Sequence, residues 1–306
     1  STGFAVAEPS ILTPSPAQVP DDVLVVGQIA EPKSLDPHAV TATNDFRILM
    51  NLYDGLVRFR SGTLEIEPAL AETWEVSPDG KTYTFKLRQG VKFHNGRALA
   101  ADDIKYSIER TVNPATQSPG AGFFGSIKGF EEATAGDGSL SGITVVDPQT
   151  VRIELSRPDA TFLHVMAINF SFAVPKEEVE KSGADFGKQP VGTGAFKLAE
   201  WVLGQRVVFE RNPDYFEQGL PHLDQITFEI GQEPTVALLR LERGEVDVLV
   251  NNLGIFGAAP ALEITAAEWQ RYWDVNVMAA VRLIRATLPG MKERGWGRVL
   301  NIASDS

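Results

Sequence analysis

The sequence predicts an α/β chain, mixed α+β over most of its length and closing on a βαβ segment. Three observations carry this. Short strands recur in hairpin pairs whose turns hold Asp-Gly or Asp-Pro. Apolar residues fall at helical spacing in 43–59, and 100–112 reads as a helix with Asp102 and Asp103 at its N-terminal end. After Val248 the pattern changes to an apolar strand, a long helical stretch and a second apolar strand, the unit from which parallel sheets are built.

The elements follow in order. Residues 1–20 are rich in Pro, Ser and Ala and read as an irregular leader. Residues 22–30, DVLVVGQIA, form a buried strand, which the two prolines and the Asp of EPKSLDP break. Phe46, Leu49, Met50, Tyr53 and Leu56 line one face of a helix. Short strands come next, with a hairpin turn at Asp79-Gly80, after which Tyr83, Phe85 and Leu87 alternate with polar residues. The helix at 100–112 carries Asp102 and Asp103 near its N-terminus, where the helix dipole favours negative charge. Residues 113–142 are loop-rich and full of Gly. A second hairpin turns at Asp147-Pro148, a third pair of strands spans 190–212, and a short helix ends near Gly244. Thr265 and Glu268 have capping-box spacing at the start of the last helical stretch.

Bulk properties narrow the function. A chain of 306 residues that is 43% hydrophobic can bury a substantial core. Its net charge of −12 repels phosphate backbones, which argues against nucleic acid as a partner. The absence of cysteine removes disulfides, thiolate metal sites and cysteine nucleophiles. No apolar run approaches the ~20 residues of a transmembrane helix. A signal peptide is not in the sequence given, since Ser1 opens it without a basic or long apolar segment.

Residues 22 to about 248 resemble the bacterial extracellular solute-binding proteins of ABC importers, in the peptide- and nickel-binding class. The resemblance rests on the stretch 68–110, PALAETWEVSPDGKTYTFKLRQGVKFHNGRALAADDIKYSIER. PKSLDPH at 32–38, YDGL at 53–56, VGTGAFKLAEW at 191–201 and NPDYFEQGLPHLDQITFEI at 212–230 support it, in family order. It implies a periplasmic-binding-protein-like first lobe, with mixed sheet and hairpins, in a clamshell that captures a solute without covalent chemistry. It further implies a small, peptide-like solute and a membrane ABC permease as partners, a periplasmic or extracellular location, no enzymatic activity and no cofactor. Cleft residues expected on this lobe are Ser34, Leu35 and Asp36 after the first strand, Tyr53, Asn169, Phe170 and Phe172, and the turn Gly192, Thr193 and Gly194. In that family the chain continues for a comparable length beyond the GEVDV segment.

From Asp247 to Ser306 the chain is similar to the middle of a short-chain dehydrogenase/reductase. LVNNLG resembles that family's NNAG strand end, which would make Asn251, Asn252 and Gly254 remnants of a cofactor site. WDVNVMAAVRL and GRVLNIAS resemble the segments of its catalytic Asn and Ser, here Asn276 and Ser304. The Gly-rich cofactor turn and the Tyr/Lys pair of that family are missing, so dehydrogenase activity is not expected. The expected organisation is a leader at 1–20, a solute-binding lobe at 21–248 and a Rossmann-like βαβ segment at 249–306. Three accounts of the junction stand: recombination, natural or designed, at a shared strand; a misassembled or engineered chimera without selected activity; or an accidental resemblance. The rival functional class is an NAD(P)-dependent oxidoreductase fragment.

Other motifs have plainer readings. GAGFFG at 120–125 matches a dinucleotide fingerprint, but loop rather than strand precedes it. His38, His94, His164 and His222 lie far apart without metal-ligand spacing, so structural or surface roles are expected and no metal site. Tyr53, Trp74, Trp201, Phe170 and Phe172 could stack on a ligand, though core packing is the commoner fate of such rings.

Overall fold

The computed structural model describes residues 22–28 and 30–231, and beyond them separate positions between 236 and 301, among them 248–251, 265–274 and 298–301. The leader at 1–20 lies outside the described residues. The chain divides into two compact units, one of residues 1–27 and 232–306 and the other of residues 28–231. The domain boundary expected at 248 falls inside the first of these.

In the first unit, β1 (Val23–Gln28) pairs in parallel with β11 (Val248–Asn251), with Val26 opposite Val248. β11 pairs in parallel with β12 (Arg298–Asn301), from Val248 opposite Arg298 to Asn251 opposite Asn301. Helix α6 (Ala266–Trp273) lies between β11 and β12 in the chain. Its capping box has the expected form: the Thr265 hydroxyl accepts from the Glu268 N–H, and the Glu268 carboxylate accepts from the Thr265 N–H.

The second unit holds the hairpins. β4 (Ala71–Val76) and β5 (Thr82–Leu87) are antiparallel across the Asp79-Gly80 turn, where Gly80 has φ of 68°, a conformation that suits glycine. β6 (Ile143–Asp147) and β7 (Thr150–Glu154) pair across Asp147-Pro148, and the four strands run in the order β4-β5-β7-β6. β2 (Val57–Phe59) and β3 (Ile66–Pro68) form a separate ribbon. β8 (Phe196–Val202), β9 (Arg206–Arg211) and β10 (Gln225–Ile230) make an antiparallel meander.

Periodicity decides which face is buried. On β5, Tyr83, Phe85 and Leu87 point inward while Lys86 is exposed, the period-two alternation of a half-covered sheet. Helix α2 (Ala101–Val112) turns Ile104, Ile108, Thr111 and Val112 into the same core, with Val151, Ile153, Phe124 and Phe162. The Asp103 carboxylate accepts from the Ala100 N–H and takes a bidentate pair from Arg97 at 2.7 and 3.0 Å, so it holds the helix start by specific bonds as well as by the dipole.

Two segments differ from the sequence reading. Helix α1 (Thr43–Leu52) stops before Tyr53, whose backbone is extended (φ −138°, ψ 159°), so Tyr53 and Leu56 fall outside the helix expected to carry them. The Gly-rich stretch after α2 includes a short helix, α3 (Phe130–Ala135), between glycines at 129 and 136. Two further helices, α4 (Phe162–Val165) and α5 (Lys176–Ser182), lie between β7 and β8. GAGFFG forms a 3-10 turn at Ala121–Phe124, with turn rather than strand before it.

Phe85 is fully buried between the β4 and β7 partners of its strand. Phe85→Ala is expected to lower the unfolding free energy by about 3–5 kcal/mol in urea denaturation, since the sheet backbone prevents collapse of the cavity.

Candidate functional site

The loop after β1 is held down by one buried ion pair. Arg110, near the end of α2, donates from Nη1 to Asp36 Oδ1 at 2.9 Å and from Nη2 to Asp36 Oδ2 at 2.6 Å. Both side chains are nearly closed to solvent, at 11% and 12% exposure. The guanidinium also lies 5.6 Å from the centre of the Phe186 ring. Burial alone would raise the Asp36 carboxyl, but the Arg110 bonds, with the nearby His38, hold it below its ordinary value.

His38 completes the knot. Arg110 Nη1 lies 2.8 Å from His38 Nδ1, and since a guanidinium can only donate, Nδ1 accepts. The ring is therefore neutral and donates from Nε2 to the Phe172 carbonyl at 3.0 Å. Burial, and then the Arg110 charge, push its pKa down to about 4. Asn169 donates to the Pro37 and Val40 carbonyls at 2.5 and 3.1 Å, and the Thr111 hydroxyl donates to the Phe170 carbonyl at 2.8 Å. The Tyr53 hydroxyl donates to the Leu35 carbonyl at 2.9 Å, and its ring stacks on Phe172 with centres 6.5 Å apart.

A second knot lies at the C-terminal end of α1. Asp54, buried, accepts from the Thr193 hydroxyl at 2.8 Å and the Tyr215 hydroxyl at 3.3 Å. Burial raises its pKa to about 6 despite those bonds. The turn carrying Thr193 presses against α1: a Cβ on Gly192 would meet the Leu52 carbonyl oxygen at 2.0 Å, and one on Gly194 the Asn51 oxygen at 2.4 Å. His94 spans this turn. Its Nδ1 accepts from the Gly192 N–H at 3.2 Å and its Nε2 donates to the Gly194 carbonyl at 3.1 Å. Burial lowers its pKa to about 4 as well.

The ten residues expected to form a cleft thus come together from four distant segments of the chain. Leu35, Tyr53, Asn169, Phe170, Phe172 and Thr193 are buried in the unit and bonded or packed within it. Ser34 is partly exposed and accepts from the Asp36 N–H at 3.0 Å. Asp36 lines an open cavity of about 660 Å³ with Tyr106, Arg110, Asn113, Lys176 and Glu180. Sequence reasoning missed Arg110, Asp54 and the bridging roles of His38 and His94. Of the dehydrogenase-like remnants, Asn251 ends β11 opposite Asn301, while Asn252, Gly254, Asn276 and Ser304 lie outside the described residues. Among the described residues no three His, Asp or Glu side chains cluster as metal ligands, and no helix is long and apolar enough to cross a membrane.

Residues 65–276 match the family described as bacterial extracellular solute-binding proteins, family 5 Middle. The chain belongs to this family. The periplasmic oligopeptide-binding protein OppA of Salmonella typhimurium is 32% identical over 254 residues, 79% of this chain and 46% of the relative. The crystal structure of Haemophilus influenzae OppA with the peptide RPPGFSPFR superposes with a TM-score of 0.70 at 29% identity, over 74% of this chain and 45% of that one. The substrate-binding domain of an oligopeptide ABC transporter from Bacillus anthracis gives 0.71 at 28% identity, over 75% and 45%. This chain spans a little under half the length of these solute-binding proteins.

Two outcomes follow from these knots. Arg110→Met is expected to cost about 3 kcal/mol in urea unfolding, because it leaves the nearly buried Asp36 carboxylate without its cation. The pH response has opposed parts. His38 and His94 are lowered to about 4 from 6.5, so the stability each contributes is full above 6.5 and is lost as pH falls toward 4. Asp54 is raised from 3.8 to about 6, so it adds stability as pH falls through the same window. Each amounts to about 3 kcal/mol at 1.36 kcal/mol per pKa unit, so these three groups together lose about 3 kcal/mol by pH 4, and the raised Asp45 and Glu109 act in the same direction as Asp54. Urea unfolding from pH 7.5 to 4 checks this: Asp54→Asn should steepen the fall and His38→Gln should flatten it.

Proposed function

We propose that this chain is the solute-binding component of an ABC importer, with short peptides as its solute, in a periplasmic or extracellular location. The observation that carries the reading is the family match over residues 65–276. The peptide in the Haemophilus influenzae OppA structure and the oligopeptide transporter from Bacillus anthracis support the solute class and the transporter partner. The chemistry of the unit agrees with capture rather than reaction. Its buried polar groups are spent on holding loops in place, which gives a rigid wall for a ligand. On this reading Ser34, Asp36 and the Gly192–Gly194 turn border the cleft, and Leu35, Tyr53, Asn169, Phe170 and Phe172 fix the shape of its wall from behind.

Residues 249–306 carry a second reading, a dehydrogenase-derived βαβ segment without activity. The parallel pairing of β11 with β12, and the capped helix between them in the chain, favour it. The family match, which runs on to 276, weighs against a sharp junction at 248. On this reading the chain is truncated or chimeric.

Calorimetric titration of the whole chain decides between the classes. Di- to nonapeptides should bind saturably, and NAD(H), NADP(H), sugars and nickel chelates should not. Saturable dinucleotide binding without peptide binding would overturn the proposal, and a gene and intact-mass determination across residues 240–260 tests the junction itself.

A further inference from the structure

A second open groove, of about 450 Å³, lies on the β4-β5-β7 part of the four-stranded sheet, and its wall residue Phe216 packs on Tyr215 with ring centres 4.6 Å apart. Its walls include Glu72, Lys86, Arg88, Gln149, Thr150 and Phe216. Lys86 stands exposed on β5 directly opposite Thr150 of β7 and Thr73 of β4. The β4-β5 register shifts between Ala71 and Thr73, and the extra residue at this bulge is Glu72. A bulge re-aims its side chain relative to the regular pleat.

Arg88 is anchored but uncommitted. Its Nε donates to the Ala69 carbonyl at 2.7 Å, and its guanidinium carbon sits 5.7 Å from the centre of the Phe216 ring. Its backbone N–H is fixed to the Leu70 carbonyl at 2.9 Å, and that of Leu87 to the Gln149 carbonyl at 2.8 Å. Neither Nη of Arg88 donates to any described residue, and Lys86 Nζ has no ion pair or hydrogen bond among them. Glu72 lines the same groove without pairing to either cation among the described residues. The Gln149 side-chain oxygen is buried without a donor, and its amide nitrogen makes no hydrogen bond to the described residues.

A guanidinium held by Nε and by an aromatic face, with its two Nη groups free, is set for a two-point bond to a planar oxyanion. A neighbouring ammonium adds attraction. In a chain of net charge −12, two cations left unpaired in one groove stand against the general field. We propose that this groove binds the oxyanion of a small ligand, a carboxylate or a phosphate, with Arg88 as the two-point donor and Lys86 as the supporting charge. Glu72 sets the affinity by repulsion. This proposal does not rest on the peptide-binding reading.

The test is an NMR titration of the labelled whole chain with sodium succinate and, separately, inorganic phosphate, at ionic strength fixed with chloride. Saturable shifts are expected at the amides of residues 86–89 and 149–150. Arg88→Gln should weaken binding at least about tenfold and Lys86→Gln by less, in keeping with the loss of charge-assisted bonds. Glu72→Gln should tighten it severalfold, a gain that damage to the fold would not produce. A preference for succinate marks a carboxylate ligand and a preference for phosphate a phosphate ester; either upholds the site. Shifts that do not saturate with either anion, or an unchanged affinity in both Arg88→Gln and Glu72→Gln, overturn it.

Discussion

The larger unit depends on one buried ion pair. Arg110 reaches out of α2 and grips Asp36, 74 residues earlier in the chain, at two points. Asp36 in turn receives the His38 N–H, and His38 passes the connection to the Phe172 carbonyl. The loop after β1, helix α2 and the turn at Asn169–Ser171 are thereby fixed to one another through a single guanidinium. Stability alone does not require the pair, since desolvating two charges costs several kcal/mol and apolar groups of equal volume avoid that cost. What an apolar pair would lack is direction. The planar fork accepts one arrangement of the carboxylate and leaves the second N–H of Nη1 aimed at the imidazole.

Asp54 and His94 act on the same principle with neutral partners. Each binds main-chain or hydroxyl groups of the turn at 192–194, so that a segment without regular structure gains the order of an element. Close packing sets the limits: the two glycines let the turn lie directly against the last carbonyls of α1. The cleft proposed for this face would therefore be bordered by loops held as firmly as strands, the preorganisation that a binding protein needs if it is not to lose affinity in ordering its own chain.

The parts of this structure legible in the sequence were those decided locally. Asp79-Gly80 and Asp147-Pro148 announced their hairpins, alternation on β5 announced its buried face, and Thr265 with Glu268 announced a helix start. Tyr53 was misplaced because its apolar spacing continued the helix, while its backbone leaves it. The convergence of residues 34–36, 169–172 and 192–194 was read through family resemblance, not from spacing. Arg110, His38, His94 and Asp54 stayed hidden because their partners lie 72 to 161 residues away, at separations on which periodicity is silent. One signal was present: Arg110 directly precedes the buried Thr111 and Val112, so a charge stands at the margin of an apolar stripe and needs a partner there.

The engagement of two imidazoles has a practical side. Of the four histidines, His38 and His94 have both ring nitrogens occupied within the fold, whereas His164 and His222 are exposed at the surface. Acylating reagents that attack neutral ring nitrogens, and immobilised nickel resins that coordinate them, therefore meet a native chain with two reactive histidines rather than four. The appearance of the other two would serve as a chemical stain for opening of the fold.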